Sequence, residues 1–257
     1  MKYKVRVLKM GEHYVPGPEV FWMSEWNAWE TLYFWMVLVQ GGGKTIVINT
    51  GLPEDLTLRN KFLNEFGGER CIMKASEEER PWKALKNVNV DPKEVDYVFI
   101  TPLQDYTTSN IDIFKKAKIC ISRKGWIEEI VAPKFKFHVP RELRIPNKIL
   151  FHLLTEAWDR LYLLEDEEEV LPGIKAFWVG VHHRSSIAIS IDTDKGKVIA
   201  SDCFFKYKNI EENIPIGVME SFEEYVKAYD RIRREADILL PLYDPEVLSR
   251  YPNGEIA

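Results

Sequence analysis

Short β-branched and aromatic runs, closed by Gly, Pro or Asn, occur in both halves of this chain, and each group is followed by helix-forming sequence. No other feature constrains the fold as much. Strands then helices, twice over, imply two sheets packed face to face with helices on their outer sides. At 257 residues the chain suits one domain with a sizeable core better than two. The expectation is a four-layer αββα sandwich of the α+β class spanning residues 1–257.

In the first half, residues 2–9, 33–40, 45–49, 96–100 and 117–122 read as strands. Gly41, Gly42 and Gly43 turn the second into the third as a hairpin. Residues 55–66 and 77–85 read as helices, and 112–116 as the start or border of another. Residues 126–160 are less regular, with prolines at 133, 140 and 146 and an apolar helix-like run over 149–158, which suggests a helical insertion between the halves. Strands return at 161–164, 174–179, 187–192 and 197–200. A long helix follows, with Ser221 and Glu224 at capping-box spacing, and 238–241 is the last strand. The stretch 21–35 carries Trp22, Trp26, Trp29 and Trp35 and reads as an aromatic loop, either core cover or the wall of a pocket.

Several function classes fall away on composition. The formal net charge is −5, with both signs mixed along the chain and no block of Lys and Arg to displace counterions, so nucleic acid is not an expected partner. The N-terminal residues lack the apolar core and small-residue cleavage site of a signal peptide, and no apolar run is long enough to span a bilayer. Cys71, Cys120 and Cys203 are an odd number without CxxC spacing and read as reduced and buried, so a cytoplasmic location is expected. GGGKT at residues 41–45 is not a phosphate loop. Leu38 stands where the first glycine should be, and β-branched TIVIN follows where a helix should open.

Four segments together carry a family resemblance. VLVQGGGKTIVINTGLPEDL is similar to an opening hairpin that ends in DTG. DPKEVDYVFITPLQDYTTSNIDIF is similar to the segment that ends in THxHxDHxGN. LLEDEEEVLPGIKAFWVGVHHRSSIAISIDTDKGKVIASDCFF is similar to a GHTPGS strand pair followed by a GD motif, and ILLPLYDPEV to a PGHDP strand end. In this order and at these separations the chain resembles the metallo-β-lactamase superfamily, specifically its N-acyl-homoserine-lactonase-like branch, over residues 33–257. The resemblance implies that family's αββα sandwich, with two zinc ions held by His and Asp on loops at one edge. Such metals activate a bridging water and polarise a carbonyl.

Carried over without gaps, the resemblance places the family's ligand positions on Pro102, Gln104, Tyr106, Thr107, His182, Asp202 and Tyr243. Only His182 and Asp202 keep the family's residue types. The DTG aspartate, which orients ligand histidines, matches Asn49. A complete structural zinc site contributes roughly 10–16 kcal/mol, so with half its donors or fewer a site here reaches micromolar affinity at best. No cofactor is expected. The alternative is a single zinc or iron ion at His182 and Asp202. A one-residue shift would align Asp105 and Tyr106 with the family's Asp-His pair and retain one carboxylate.

Read against ordinary structural roles, His182 and His183 are neighbours that point to opposite sides if extended, so only one is expected at the site. Asp202 either lines the pocket or caps a turn. Tyr106 and Tyr243 either hydrogen-bond and stack on a ligand or fill the space left by metals. Asp105 and Asp244 read as solvated or turn-forming, or as a general base if buried; both, with His183, are kept as pocket-lining candidates, and His13, His138 and His152 read as structural. Ser185, Ser186 and Cys203 lack any nucleophile motif. The expected function is a lactonase-like protein with a degenerate metal site that binds a small, partly apolar molecule through Gln104, Tyr106, Thr107, His182, Asp202 and Tyr243. Two alternatives are a hydrolase of lactones or other esters, with one metal or none, and a non-catalytic scaffold. A homo-oligomer is left open.

Overall fold

The computed structural model describes residues 1–133 and 139–257. One sheet runs in the order β1 (Lys4–Pro16), β2 (Trp29–Gly41), β3 (Lys44–Ile48), β4 (Tyr97–Ile100), β5 (Lys118–Ser122), β6 (Leu161–Leu164). Its first three strands are antiparallel and the others parallel. The second sheet holds β7 (Glu167–Leu171), β8 (Ile174–Trp178), β9 (Ile187–Thr193), β10 (Gly196–Ser201) and β11 (Ile238–Pro241), ordered β11-β10-β9-β8-β7. The helices are α1 (Gly17–Val20), α2 (Thr57–Gly67), α3 (Pro81–Asn87), α4 (Asp105–Thr108), α5 (Arg123–Gly125), α6 (Asn147–Leu154), α7 (Tyr207–Glu211), α8 (Phe222–Glu235) and α9 (Val247–Arg250).

Period-2 alternation separates the layers. Trp35, Val37 and Val39 of β2, with Ile46 and Ile48 of β3, meet Ile187, Ile189, Ile191 and Val198 of the other sheet in one buried cluster. The intervening Phe34, Met36, Leu38 and Val47 face outward and join Leu63 of α2 and Leu85 of α3. Ile199 of β10 likewise packs outward with Tyr229 and Ile232 of α8. The αββα expectation is therefore met, with two sheets sharing one core and helices covering the outer faces.

Several elements differ from the sequence reading. β1 does not stop at Lys9. Its register shifts between Lys9 and Glu12, and the strand continues to Pro16. Gly11, at φ +140, makes that bulge possible: a Cβ there would sit 2.3 Å from Leu52 Cδ1. The aromatic loop is half strand, because β2 begins at Trp29. Trp35 is buried, while Trp22 and Trp26 are exposed. β7, with sequence EEEVL, is too acidic to announce itself as a strand. It is an edge strand, where charge blocks further pairing, and Arg231 and Lys175 hold its Glu167. The expected helix over 112–116 is a single 3-10 turn, Ile111–Ile113.

The described residues of 126–160 are helical in pieces: a π-helical turn (Trp126–Val131), a 3-10 turn (Arg141–Leu143), α6 and a further turn (Trp158–Arg160). α6 starts directly after Pro146 and ends at Leu154, earlier than the apolar run suggested. His138 lies outside the described residues. Ser221 caps α8, its Oγ accepting from Glu224 N at 3.3 Å. The Glu224 carboxylate does not return to the cap; it accepts from Val181 N and Arg184.

Candidate functional site

The ends of β3, β4, β10 and β11 and the turn between β8 and β9 converge at one edge of the sandwich. Beyond β3, Asn49 sits at φ 63 and holds the main chain of Thr101 from both sides. Its Oδ1 accepts from Thr101 N at 2.9 Å and its Nδ2 donates to Thr101 O at 2.8 Å. At the position of an aspartate that would orient histidines, this chain has an amide that orients backbone. The cis Thr101–Pro102 peptide leads into α4.

Asp202, fully buried after β10, accepts from Ser186 Oγ at 2.5 Å and from Thr101 Oγ1, and faces His182 Nδ1 at 3.0 Å. An acceptor-only carboxylate assigns the hydrogen to Nδ1 and leaves the Nε2 lone pair free. Phe205 and Tyr243 pack edge-on to the His182 ring at 4.7 and 6.2 Å, and Phe34 meets Tyr106 at 5.0 Å and Tyr243 at 5.8 Å. Burial pushes both phenols well above their ordinary pKa, with Asp202 adding to the effect. Tyr243 Oη is buried; the Tyr106 phenol is close enough to influence it but makes no well-formed hydrogen bond to it.

His183 corrects the expectation that only one imidazole reaches the site. Val181 and Gly180 have positive φ, so the segment is a turn and strand alternation does not apply. The two rings lie 4.2 Å apart and both line the same cavity. Burial holds His183 well below its ordinary pKa, helped by His182 and nearby arginines.

Asp105 is not solvated. Arg59, on α2, donates Nε to its Oδ1 at 2.9 Å and Nη2 to the same oxygen at 2.5 Å; Nη2 also reaches Gln104 Oε1 at 3.1 Å and Leu143 O at 2.7 Å. Both partners are about 95% buried or more. Burial raises the Asp105 carboxyl even with Arg59 opposing. Asp244 is buried as well, its carboxylate accepting from Tyr207 N and Glu246 N to start α7 and turn the chain after β11. Thr107 holds its own loop, donating Oγ1 to the Gln104 and Pro102 carbonyls, and is absent from the cavity wall.

The structure thus brings Gln104, Tyr106, His182, His183 and Tyr243 together on one cavity of about 1060 Å³, with Asp202 behind His182. Sequence reading missed Arg59, Glu129 and Arg144, and gave His13 and Glu19 no part in the site, although all five line this cavity. Arg59 left one trace: it shares the buried face of α2 with Leu63, an arginine where the helical period asks for an apolar residue.

This donor set does not fit a dinuclear zinc centre. Pro102 offers no side-chain atom, Gln104 Oε1 is engaged by a guanidinium, and Asp202 is occupied by three donors. A fixed cation, Arg59, lies 5.3 Å from the Tyr106 ring, where a second positive charge would be repelled. Among the described residues no group of three or more His, Cys, Asp or Glu is arranged to hold a metal.

Sheet order, layers and site position together define a protein of the metallo-β-lactamase fold. Within that fold the chain is similar to the N-acyl homoserine lactonase of Bacillus cereus, at 23% identity over 190 residues that cover 73% of this chain and 70% of the relative. It superposes on an N-acyl homoserine lactone hydrolase, solved with N-hexanoyl-L-homoserine at its catalytic metal centre, with TM-score 0.80, 20% identity and 97% of each chain covered. Against AidC, a dizinc quorum-quenching lactonase, the TM-score is 0.65 at 12% identity over 98% of this chain and 89% of the other. No protein-family profile matches the chain. Among the described residues no helix is long and apolar enough to cross a membrane.

Proposed function

We propose that this protein binds a small, partly apolar molecule in the cavity at the sandwich edge, on a lactonase scaffold that does not use dinuclear zinc chemistry. The observation that carries this reading is the buried Arg59–Asp105–Gln104 cluster, which sets a protein cation and its counter-ion into the loop where the resemblance calls for metal ligands. The cavity beside it remains open, and Tyr106 and Tyr243 wall it without filling it. Its size and mixed lining suit a small ligand. Elemental analysis of the purified protein tests the first half: well under one zinc or iron per chain is expected, and about two equivalents would overturn it. Retention of a small molecule, detected by mass spectrometry of denatured protein, tests the second.

One observation favours a second reading, a metal-free hydrolase. Asp202 fixes the His182 tautomer so that Nε2 is available as a base, the arrangement by which a carboxylate supports an imidazole in general-base catalysis. A single ion at His182 would need Nε2, since Nδ1 and Asp202 are committed to each other.

A further inference from the structure

A second polar group on the cavity wall lies away from the His182–Tyr243 cluster. His13, on β1, is 7% exposed; it stacks on Phe34 at 6.4 Å, and its Nε2 is buried with no hydrogen-bond partner among the described residues. Glu19, on α1, lines the same cavity, as does Cys71, which neighbours both. The charges on this wall are unevenly matched. Arg59 is held by Asp105, Arg144 by Glu129 at 2.9 Å, and Arg184 by Glu220 and Glu224. Glu19 has neither an ion pair nor a side-chain hydrogen bond among the described residues. Desolvation alone pushes its carboxyl up to about 7, with no cation to oppose the shift. Burial also pulls His13 down to about 4, so the ring is neutral and supplies no counter-charge to Glu19.

Resting on the small-molecule reading above, we propose that the ligand is an amphiphilic amine whose ammonium group sits against Glu19 and His13, with its apolar chain along Leu32, Phe34, Phe62 and Met73. The chemistry follows from what the wall lacks. An anionic head would meet paired arginines and an unpaired carboxylate. A neutral alcohol would leave the partly buried Glu19 charge without a counter-charge on the cavity wall, which is unfavourable. An ammonium supplies the missing counter-charge, and the neutral His13 ring does not repel it.

Isothermal titration of the full chain at about pH 8, where the carboxylate is ionised, tests this with three probes of equal chain length: decylamine, decanol and decanoate. Decylamine is expected to bind on the order of tenfold tighter than decanol, with decanoate weakest. Glu19→Gln should erase the preference for the amine and bind decanol at least as tightly as the parent does, which also shows that the variant is folded with its cavity intact. Equal affinity for amine and alcohol, tightest binding of decanoate, or an amine preference that survives Glu19→Gln each overturns the inference and leaves the small-molecule reading standing. Failure of all three probes to bind overturns both.

Discussion

Arg59 of α2 and Asp105 form a buried ion pair, Nε to Oδ1 2.9 Å, at the loop where the family resemblance places metal ligands. The pair changes what the loop can do. Positive charge there is supplied by a side chain on α2, already neutralised, and Gln104 is tied to it. Under the proposed reading, the site keeps the fold's location and does without a metal electrophile.

A buried ion pair stabilises little in itself, but breaking it strands a charge. Arg59→Met and Asp105→Leu should each lower unfolding free energy by roughly 3–5 kcal/mol, whereas the double change Arg59→Met/Asp105→Leu should come within about 1–2 kcal/mol of the parent. Urea denaturation of the three variants reads the cycle. Single changes that cost under about 1 kcal/mol would mean that water reaches the pair.

Tyr243 Oη gives a test with the opposite sign. The hydroxyl is sealed from solvent without a well-formed hydrogen bond among the described residues. Tyr243→Phe should therefore raise stability by about 1 kcal/mol, because it removes an unmet desolvation cost. Ligand binding should not change, because the hydroxyl offers no free surface to the cavity. A thermal melt and a binding titration on the same variant check the two expectations.

Glu19 makes stability depend on pH. Its folded pKa, about 7, lies above the ordinary value of 4.5. The folded state thus binds the proton more tightly, so this contribution is fully present below about pH 4.5 and is lost as pH rises through 7. Glu19→Gln should be more stable than the parent at pH 8 by on the order of 1–3 kcal/mol, and the gap should close towards pH 4. Chemical denaturation at both pH values checks it; a gap that grows on acidification would contradict the burial argument.

Much of the fold was legible because it is written in local patterns. The glycine turn between β2 and β3 and the alternation of Phe34 to Val39 specify a hairpin with one face to each layer. The N-cap at Ser221 marks the start of α8. The site was legible only where motif position carried it, at His182, Asp202, Tyr106 and Tyr243. His13, Glu19 and Arg59 come from three elements that touch only after folding, and nothing in their own neighbourhoods marks them beyond one charged residue on a buried helix face. Asp105 shows the converse: an aspartate beside a polar turn looks solvated until a residue 46 positions away is seen against it. His183 was misjudged because strand alternation was applied to a turn with positive φ.

His182 separates binding from hydrolysis. If its Nε2 acts as a base, removing that nitrogen should lower turnover of a lactone or aryl ester by about 100-fold or more. If the site only binds, any slow background hydrolysis should be indifferent to the change. His182→Gln suits the test, because its amide can still donate to the Asp202 carboxylate, which already holds Ser186 and Thr101. Asp202→Asn serves as the second arm. It breaks the acceptor-only role and should destabilise the loop by roughly 2–4 kcal/mol under either reading, while abolishing turnover only under the hydrolase reading. A His182→Gln variant that folds, binds ligand with near-parent affinity and leaves the low ester turnover unchanged would make the Asp202–His182 bond a structural clasp at the cavity wall.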